Sequence, residues 1–205
     1  MKISLDKIGR RFNREWIFRN VNCEFETGNS YAILGANGTG KSTLLQIISG
    51  SLSSSEGTIR YFHSDTEIPQ EDIFSHMTLA APYLELIEEL TLSELIDFHF
   101  RFKNFRKGLD KATLVELLGL KSSEFKALKN FSSGMKQRVK LALAFGSDTE
   151  LILLDEPTSN LDKQGSAWYL NLVSEFSRDR LLIVCSNQEE EYGFCTSRLN
   201  VTDFK

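Results

Sequence analysis

The nine residues from Gly35 to Thr43 read Gly-Ala-Asn-Gly-Thr-Gly-Lys-Ser-Thr, and they limit the folds open to this chain more than any other feature. They fit the pattern G-x-x-x-x-G-K-[ST]. An apolar run at residues 31–34 precedes them, and a helix-like run at residues 43–48 follows. A strand, a loop and a helix in that order are the context that a phosphate-binding loop requires.

The residue types in this loop suit a chain of phosphate groups. Glycine tolerates positive φ, so successive N–H groups can turn inward around an anion, and the following helix points its positive end at the same place. Lys41 is expected to reach the β- and γ-phosphates, and the Ser42 hydroxyl to ligate Mg²⁺. The predicted nucleotide-binding residues of the loop are Gly35, Asn37, Gly38, Thr39, Gly40, Lys41, Ser42 and Thr43.

Length and composition are those of one globular domain. The chain has 205 residues, 41% of them hydrophobic and 25% charged, and a net charge of −4, which argues against a general nucleic-acid binder. Three cysteines form no C-x-x-C pair, as suits a reducing cytosol. The first residues lack the apolar core of a signal peptide. Because no run approaches the roughly 20 apolar residues of a membrane span, a membrane role must come through a separate partner chain.

The apolar patterns change along the chain. Short strand-like runs fill the N-terminal part, at residues 3–8, 17–25, 31–34 and 58–62, and the polar segment 63–74 is expected to be a surface loop. Helical spacing dominates residues 84–145. Wholly apolar runs at 151–154 and 181–184 are typical of strands buried on both faces, with a helix at about 163–176 between them.

These patterns predict an α/β fold of the P-loop NTPase type. We expect a mostly parallel sheet flanked by helices, with an N-terminal antiparallel β part and an inserted helical subdomain. The whole chain, 1–205, would be one domain, with a core of residues 1–80 and 146–205 and a helical subdomain at about 81–145.

An apolar strand ends in two adjacent carboxylates, Asp155 and Glu156. Because side chains alternate along a strand, the two point in different directions. One can hold Mg²⁺ while the other orients or deprotonates an attacking water, as hydrolysis of a nucleoside triphosphate requires. We assign Asp155 to the metal and Glu156 to catalysis.

Two further segments resemble the ATP-binding-cassette (ABC) ATPases. Phe131-Ser132-Ser133-Gly134-Met135 is similar to their signature, usually written L-S-G-G-Q, and residues 159–162 are similar to their D-loop. The resemblance implies that Ser132, Ser133 and Gly134 meet the γ-phosphate held by the other subunit of a head-to-tail dimer. It also implies an aromatic residue stacked on adenine, for which Phe12 is the first candidate and Trp16 the second. A role as an ordinary core aromatic is an equally good interpretation of Phe12.

The chain departs from the family pattern at two catalytic places. Residues 79–84 contain no Gln where the family places one, and Glu85 is a nearby carboxylate that could equally lie on a solvated helix face. Asn187 stands where the family places a His; an amide can donate a hydrogen bond to phosphate but cannot become cationic. We therefore expect slow ATP hydrolysis, with Glu156, Lys41 and Asn187 as its catalytic residues.

The resemblance implies the ATP-binding and ATP-hydrolysing subunit of an ABC transporter, similar to small exporter ATPases such as the haem-exporter type. Its implied ligands are ATP and Mg²⁺. Its implied partners are a second copy or a homologous ATPase, and integral membrane permease subunits; nucleic acid is not expected. The implied location is cytoplasmic, on the inner face of the cell membrane. The alternatives are a soluble ABC protein, working as a ribosome-linked or iron–sulfur-assembly clamp, and a degenerate ATP-gated regulatory subunit.

The three histidines, His63, His76 and His99, show no metal-ligand spacing and predict surface or partly buried positions. The aromatic-rich run at residues 98–105 favours packing or docking to a partner over stacking on nucleic acid.

Overall fold

A computed structural model describes all residues, 1–205, and places the strands in two sheets. The strands are β1 (Lys2–Phe12), β2 (Glu15–Glu26), β3 (Ser30–Leu34), β4 (Glu56–His63), β5 (Thr66–Ile68), β6 (Met77–Ala80), β7 (Leu151–Asp155), β8 (Leu181–Cys185) and β9 (Ser197–Asn200). The α-helices are α1 (Lys41–Ile48), α2 (Ile73–His76), α3 (Leu92–His99), α4 (Lys111–Leu118), α5 (Ser133–Gly146), α6 (Lys163–Phe176) and α7 (Glu189–Tyr192).

The N-terminal strands form an antiparallel sheet in the order β2-β1-β4-β5. Alternation along β1 buries Ile3 and Leu5 against the core, as a sheet with one wet face requires. The register of β1 shifts after Leu5 in its pairing with β2 and after Asp6 in its pairing with β4, around Lys7, whose φ is 51°. Gly57 on β4 faces this bulge, and a Cβ there would lie 2.3 Å from the Lys7 carbonyl oxygen. Only glycine fits at that crossing.

The second sheet is parallel, in the order β6-β7-β8-β3-β9. Every residue of β7 and β8 is buried, because helices and the antiparallel sheet cover both faces. The central strands pair so that Ile33 lies beside Cys185, and Cys185 beside Asp155. The carboxyl ends of β3, β8 and β7 therefore meet at one edge, where a parallel α/β sheet binds ligands.

The helical part lies between β6 and β7. Helices α3 and α4 begin with capping boxes, Thr91 with Glu94 and Asp110 with Thr113, which satisfy the free N–H groups of each first turn. Their apolar faces pack with α5 into a separate cluster that includes Leu92, Leu114 and Val139. The predicted helical insertion is confirmed.

Residues 63–74 are mostly exposed, as expected of a surface segment, but the expectation that they form a loop is wrong. The segment contains β5 and the start of α2, and its two isoleucines, Ile68 and Ile73, are buried in the main core. Short elements with one apolar anchor each show too little periodicity to be recognised in a polar sequence. The short strand β9 is absent from the prediction for the same reason, because its residues are largely exposed.

None of the helices is both long and apolar enough to cross a membrane.

Candidate functional site

The phosphate-binding loop connects β3 to α1, as the sequence predicts. Gly35, Gly38 and Gly40 have φ values of 147°, 77° and 106°, in the region that favours glycine. At Gly40 a Cβ would also lie 2.4 Å from Cγ2 of Ile17, so that position has no room for a side chain. Helix α1 begins at Lys41 with its free N–H groups at the loop, which makes an anion-binding end.

Lys41 is enclosed by the loop that precedes it. Its side chain is buried, and Nζ donates hydrogen bonds to the carbonyl oxygens of Gly35, at 2.8 Å, and Ala36, at 3.3 Å. The Thr39 hydroxyl donates to the same Ala36 oxygen at 2.8 Å. The ammonium group is thus held at the loop. A bound phosphate would take the place of the two neutral carbonyl oxygens as its acceptor, and the hydrogen bond to a charged acceptor is stronger.

Asp155 ends β7 beside α1, and the residue is 2% exposed. One of its oxygens, Oδ1, has no hydrogen-bond partner. Burial raises the pKa of Asp155, and hydrogen bonding to Ser42 opposes that shift. A buried, half-satisfied carboxylate beside a hydroxyl fits a hard divalent cation with oxygen ligands, so these two predicted metal ligands lie together.

Glu156 follows directly but points elsewhere. Its φ is 42°, a strained value for a residue with a Cβ, and its N–H donates to the carbonyl oxygen of Cys185 at 2.9 Å. Its side chain lines a cleft of about 220 Å³ together with Lys41, Ser42 and Thr43. The predicted divergence of the two carboxylates is present: Asp155 lies under the loop and Glu156 in the cleft.

Asn187 follows β8 and reaches the phosphate-binding loop. Its amide Nδ2 donates to Oδ1 of Asn37 at 3.2 Å, and both side chains are exposed. Although 150 residues separate them along the chain, the adjacency of β3 and β8 brings them together. Asn187 therefore lies where it can donate to a phosphate in the loop.

Sequence reasoning missed Tyr83. It lies in the segment after β6 where the family Gln is absent, and its hydroxyl is close to the side chain of Gln46. Desolvation of the hydroxyl and the negative charge of Asp155 raise the pKa of Tyr83 to about 12, so it remains a neutral donor at pH 7. Glu85, the other candidate in this segment, instead lines a cleft with Ser133 and Lys136.

The three signature residues lie at the start of α5, in the helical part of the chain. The Ser132 hydroxyl caps α5 by accepting from the Met135 N–H at 3.2 Å, and Ser133 is exposed in the first turn. A Cβ on Gly134 would lie 2.8 Å from the carbonyl oxygen of Asn160, so glycine is needed where α5 meets the D-loop segment. Ser133 lines a cleft of about 350 Å³ that shares no residue with the cleft at Lys41.

The two aromatic candidates for adenine stacking lie on opposite faces of the β1–β2 hairpin. Phe12 pairs with Glu15 across the strands, and Ile17, two residues beyond Glu15, lines the cleft at Lys41. A register shift places Ile17 in a bulge between the Arg11–Trp16 and Arg10–Phe18 pairs, and the Phe12 ring carries the Arg10 guanidinium 4.5 Å from its centroid. Trp16 lies on the other face, with the Arg19 guanidinium 4.2 Å from its ring centroid. The exposed fractions are 47% for Phe12 and 37% for Trp16, so a plain core role fits neither.

The fold and this cleft define a P-loop nucleotide-binding protein. Residues 18–159 match the family described as ABC transporter, and the chain therefore belongs to that family. The resemblance that the signature and D-loop segments indicated is confirmed.

Two relatives are similar in sequence to this chain over nearly its full length. An energy-coupling factor transporter ATP-binding protein from Thermotoga maritima is 30% identical over 94% of this chain and 74% of its own. A cytochrome c biogenesis ATP-binding export protein from Haemophilus influenzae is 27% identical over 100% of this chain and 97% of its own. A dimeric ATP-binding cassette, solved in a post-hydrolysis state with ADP and phosphate, has a TM-score of 0.79 and 20% identity, covering 97% of this chain and 93% of its own.

Proposed function

We propose that this chain binds and hydrolyses Mg·ATP at the cleft between the phosphate-binding loop and the end of β7. The observation that carries this is the buried Asp155 carboxylate, which has a partnerless oxygen beside Ser42, with Glu156 projecting separately into the cleft. Ser42 and Asp155 would hold Mg²⁺, which neutralises developing charge on the phosphate oxygens when bound.

The catalytic residues have distinct tasks in this proposal. Lys41 leaves its two carbonyl acceptors and pairs with the β- and γ-phosphates. Glu156 accepts a proton from the attacking water, and Asn187 donates a hydrogen bond to the γ-phosphate. Tyr83 supplies a second neutral donor near Asp155, in the region of the missing Gln, and Phe12 stacks on adenine.

The separation of the signature from the loop supports a dimer. Because Ser133 lines a cleft that shares no residue with the cleft at Lys41, one chain alone does not bring its signature to its own ATP site. A head-to-tail pair would complete two sites, and the similarly folded cassette with ADP and phosphate is dimeric. The partner would be a second copy or a homologous ATPase.

The names of the relatives support a transport role. Both are transporter or export ATP-binding proteins, so we infer that the dimer drives integral membrane permease subunits from the cytoplasmic face. Residues 1–80 and 146–205 would form the ATPase core and residues 81–145 the lobe that moves against it. The alternatives, a soluble ABC clamp and a regulatory subunit with little turnover, lack such support from these names.

The test is a Glu156→Gln variant, which keeps the shape of the side chain but removes the base. We expect it to bind Mg·ATP as wild type does, to hydrolyse it at least about a hundredfold more slowly, and to accumulate as an ATP-bound dimer in light scattering. Lys41→Ala is the control that loses ATP binding itself. Hydrolysis by Glu156→Gln at the wild-type rate would remove Glu156 as the base.

A further inference from the structure

A cluster of two histidines and one glutamate lies far from the nucleotide cleft along β7. His63 ends β4, His76 ends α2, and Glu150 immediately precedes β7, whose other end is Asp155. One ligand atom from each of the three side chains lies within 4.8 Å of the others. The sequence spacing gave no sign of this, because the three residues come from separate elements and meet only through the fold.

The glutamate is the fixed member of the cluster. Its N–H donates to the carbonyl oxygen of His76 at 3.1 Å, and its own carbonyl accepts from the Leu181 N–H at 2.8 Å. Its two carboxylate oxygens face one histidine each: Oε2 is 2.8 Å from Nδ1 of His63, and Oε1 is 3.6 Å from Nδ1 of His76. Both rings therefore turn Nδ1 toward the same carboxylate group.

These separations are close to those of a metal site. Ligands at about 2.0–2.1 Å from a tetrahedral ion lie about 3.3 Å apart. No separation between the three ligand atoms exceeds 4.8 Å, so each is at most about 1.5 Å too long, which side-chain rotation can close. The side chains of His63, His76 and Glu150 are 49%, 30% and 33% exposed, so they can move and an ion can enter.

We propose that His63, His76 and Glu150 form a binding site for a borderline transition-metal dication of the Zn²⁺ class. Two imidazoles and one carboxylate are a ligand set that such ions accept, whereas Mg²⁺ and Ca²⁺ require oxygen ligands. The fourth position stays open to water. The Met1 amine, 3.9 Å from Oε2 of Glu150, is the neighbouring cation that the ion would displace.

Such an ion would tie the two sheets together. His63 belongs to the antiparallel sheet, while Glu150 and His76 lead into β7 and β6 of the parallel sheet. An ion bound only in the folded chain stabilises it by mass action. The bound ion would therefore stabilise the folded chain independently of ATP.

The experiment uses the full chain without a histidine tag and without nucleotide. Zn²⁺ is titrated in a calorimeter, and Co²⁺ is used as the spectroscopic probe, with a large excess of Mg²⁺ present throughout. We expect one Zn²⁺ per chain, a higher Tm with Zn²⁺, and visible Co²⁺ bands without the intense thiolate absorption that Cys23 would cause.

The variants His63→Ala, His76→Ala and Glu150→Gln should each weaken Zn²⁺ binding by more than about tenfold. The matched controls are His99→Gln, the third histidine, and Glu67→Gln, an exposed carboxylate on the same hairpin; both should bind Zn²⁺ as wild type does. Absence of stoichiometric Zn²⁺ binding, or its survival in the His63→Ala/His76→Ala double variant, would overturn the proposal.

Discussion

At the residue scale, the proposed donor role of Tyr83 can be tested by removing one oxygen atom. Tyr83→Phe keeps the ring and removes the neutral donor near Asp155. One lost hydrogen bond of about 1 kcal/mol predicts a roughly fivefold slower hydrolysis of ATP with unchanged ATP binding. Steady-state hydrolysis and nucleotide titration measure the two quantities. Tyr192→Phe, away from the cleft, is the matched control, and equal rates for both variants would contradict the prediction.

At this scale the sequence predicts the loop well and its surroundings poorly. Residues 35–43 are contiguous, so their spacing alone identifies the phosphate site. Asp155 and Glu156 were recognisable because they end an apolar strand. Tyr83 and the His63 cluster were not, since no local pattern marks a side chain whose partners are distant in the chain.

At the scale of elements, the end of α5 depends on a residue outside the helix. Arg180, buried just before β8, donates to the carbonyl oxygens of Phe145 at 3.0 Å, Ser147 at 2.9 Å and Thr149 at 2.6 Å. Arg180→Met would remove the donor of the buried Phe145 and Thr149 carbonyl oxygens, while the Ser147 oxygen would keep only the Thr149 N–H, at 3.0 Å. We expect the free energy of unfolding to fall by about 3–5 kcal/mol.

Urea denaturation followed by circular dichroism measures this loss. The exposed neighbour Arg178 supplies the control, since Arg178→Met should change the free energy of unfolding by less than about 0.5 kcal/mol. Similar stabilities for the two variants would show that α5 does not need this cap.

His99, at the end of α3, makes the same region sensitive to acid. Its Nε2 lies 2.8 Å from the Ser147 hydroxyl, and burial together with Lys103 lowers the pKa of His99 from 6.5 to about 4. As pH falls, the unfolded chain takes up this proton first. The contribution of neutral His99 to stability is therefore complete above pH 6.5 and is lost progressively toward pH 4, by up to about 3 kcal/mol.

The measurement is the free energy of unfolding from pH 7 to pH 4 in wild type and in His99→Gln. The variant keeps a polar group opposite Ser147 but does not titrate, so its curve should be flatter over that range. Parallel curves would assign the acid sensitivity to other groups.

At the scale of the whole molecule, the sequence predicts the parts of the fold that repeat a clear period. The buried runs at β7 and β8 and the helix α6 lie where apolar spacing places them. The prediction of a loop at residues 63–74 fails because two single apolar residues, Ile68 and Ile73, hold the segment against the core. How the two sheets meet is a property of the assembled chain, and no local pattern encodes it.

The proposed dimer makes a prediction that two defective variants can test together. Lys41→Ala disables the phosphate-binding loop of the ATP site. Ser133→Glu places a carboxylate in the exposed first turn of α5, where it repels phosphate without disturbing the fold. Each homodimer should be inactive. An equal mixture should recover roughly a quarter of the wild-type hydrolysis, because half of the dimers are mixed and each of these has one intact site.

The matched control adds the same charge to a different helix. Ala112→Glu lies in the exposed first turn of α4 and should hydrolyse ATP as wild type does. A mixture no more active than its components, although Ser133→Glu still binds ATP, would mean that the signature of one chain does not complete the site of another. Hydrolysis can recover only if the loop of one copy works with the signature of the other, because neither variant has both parts intact.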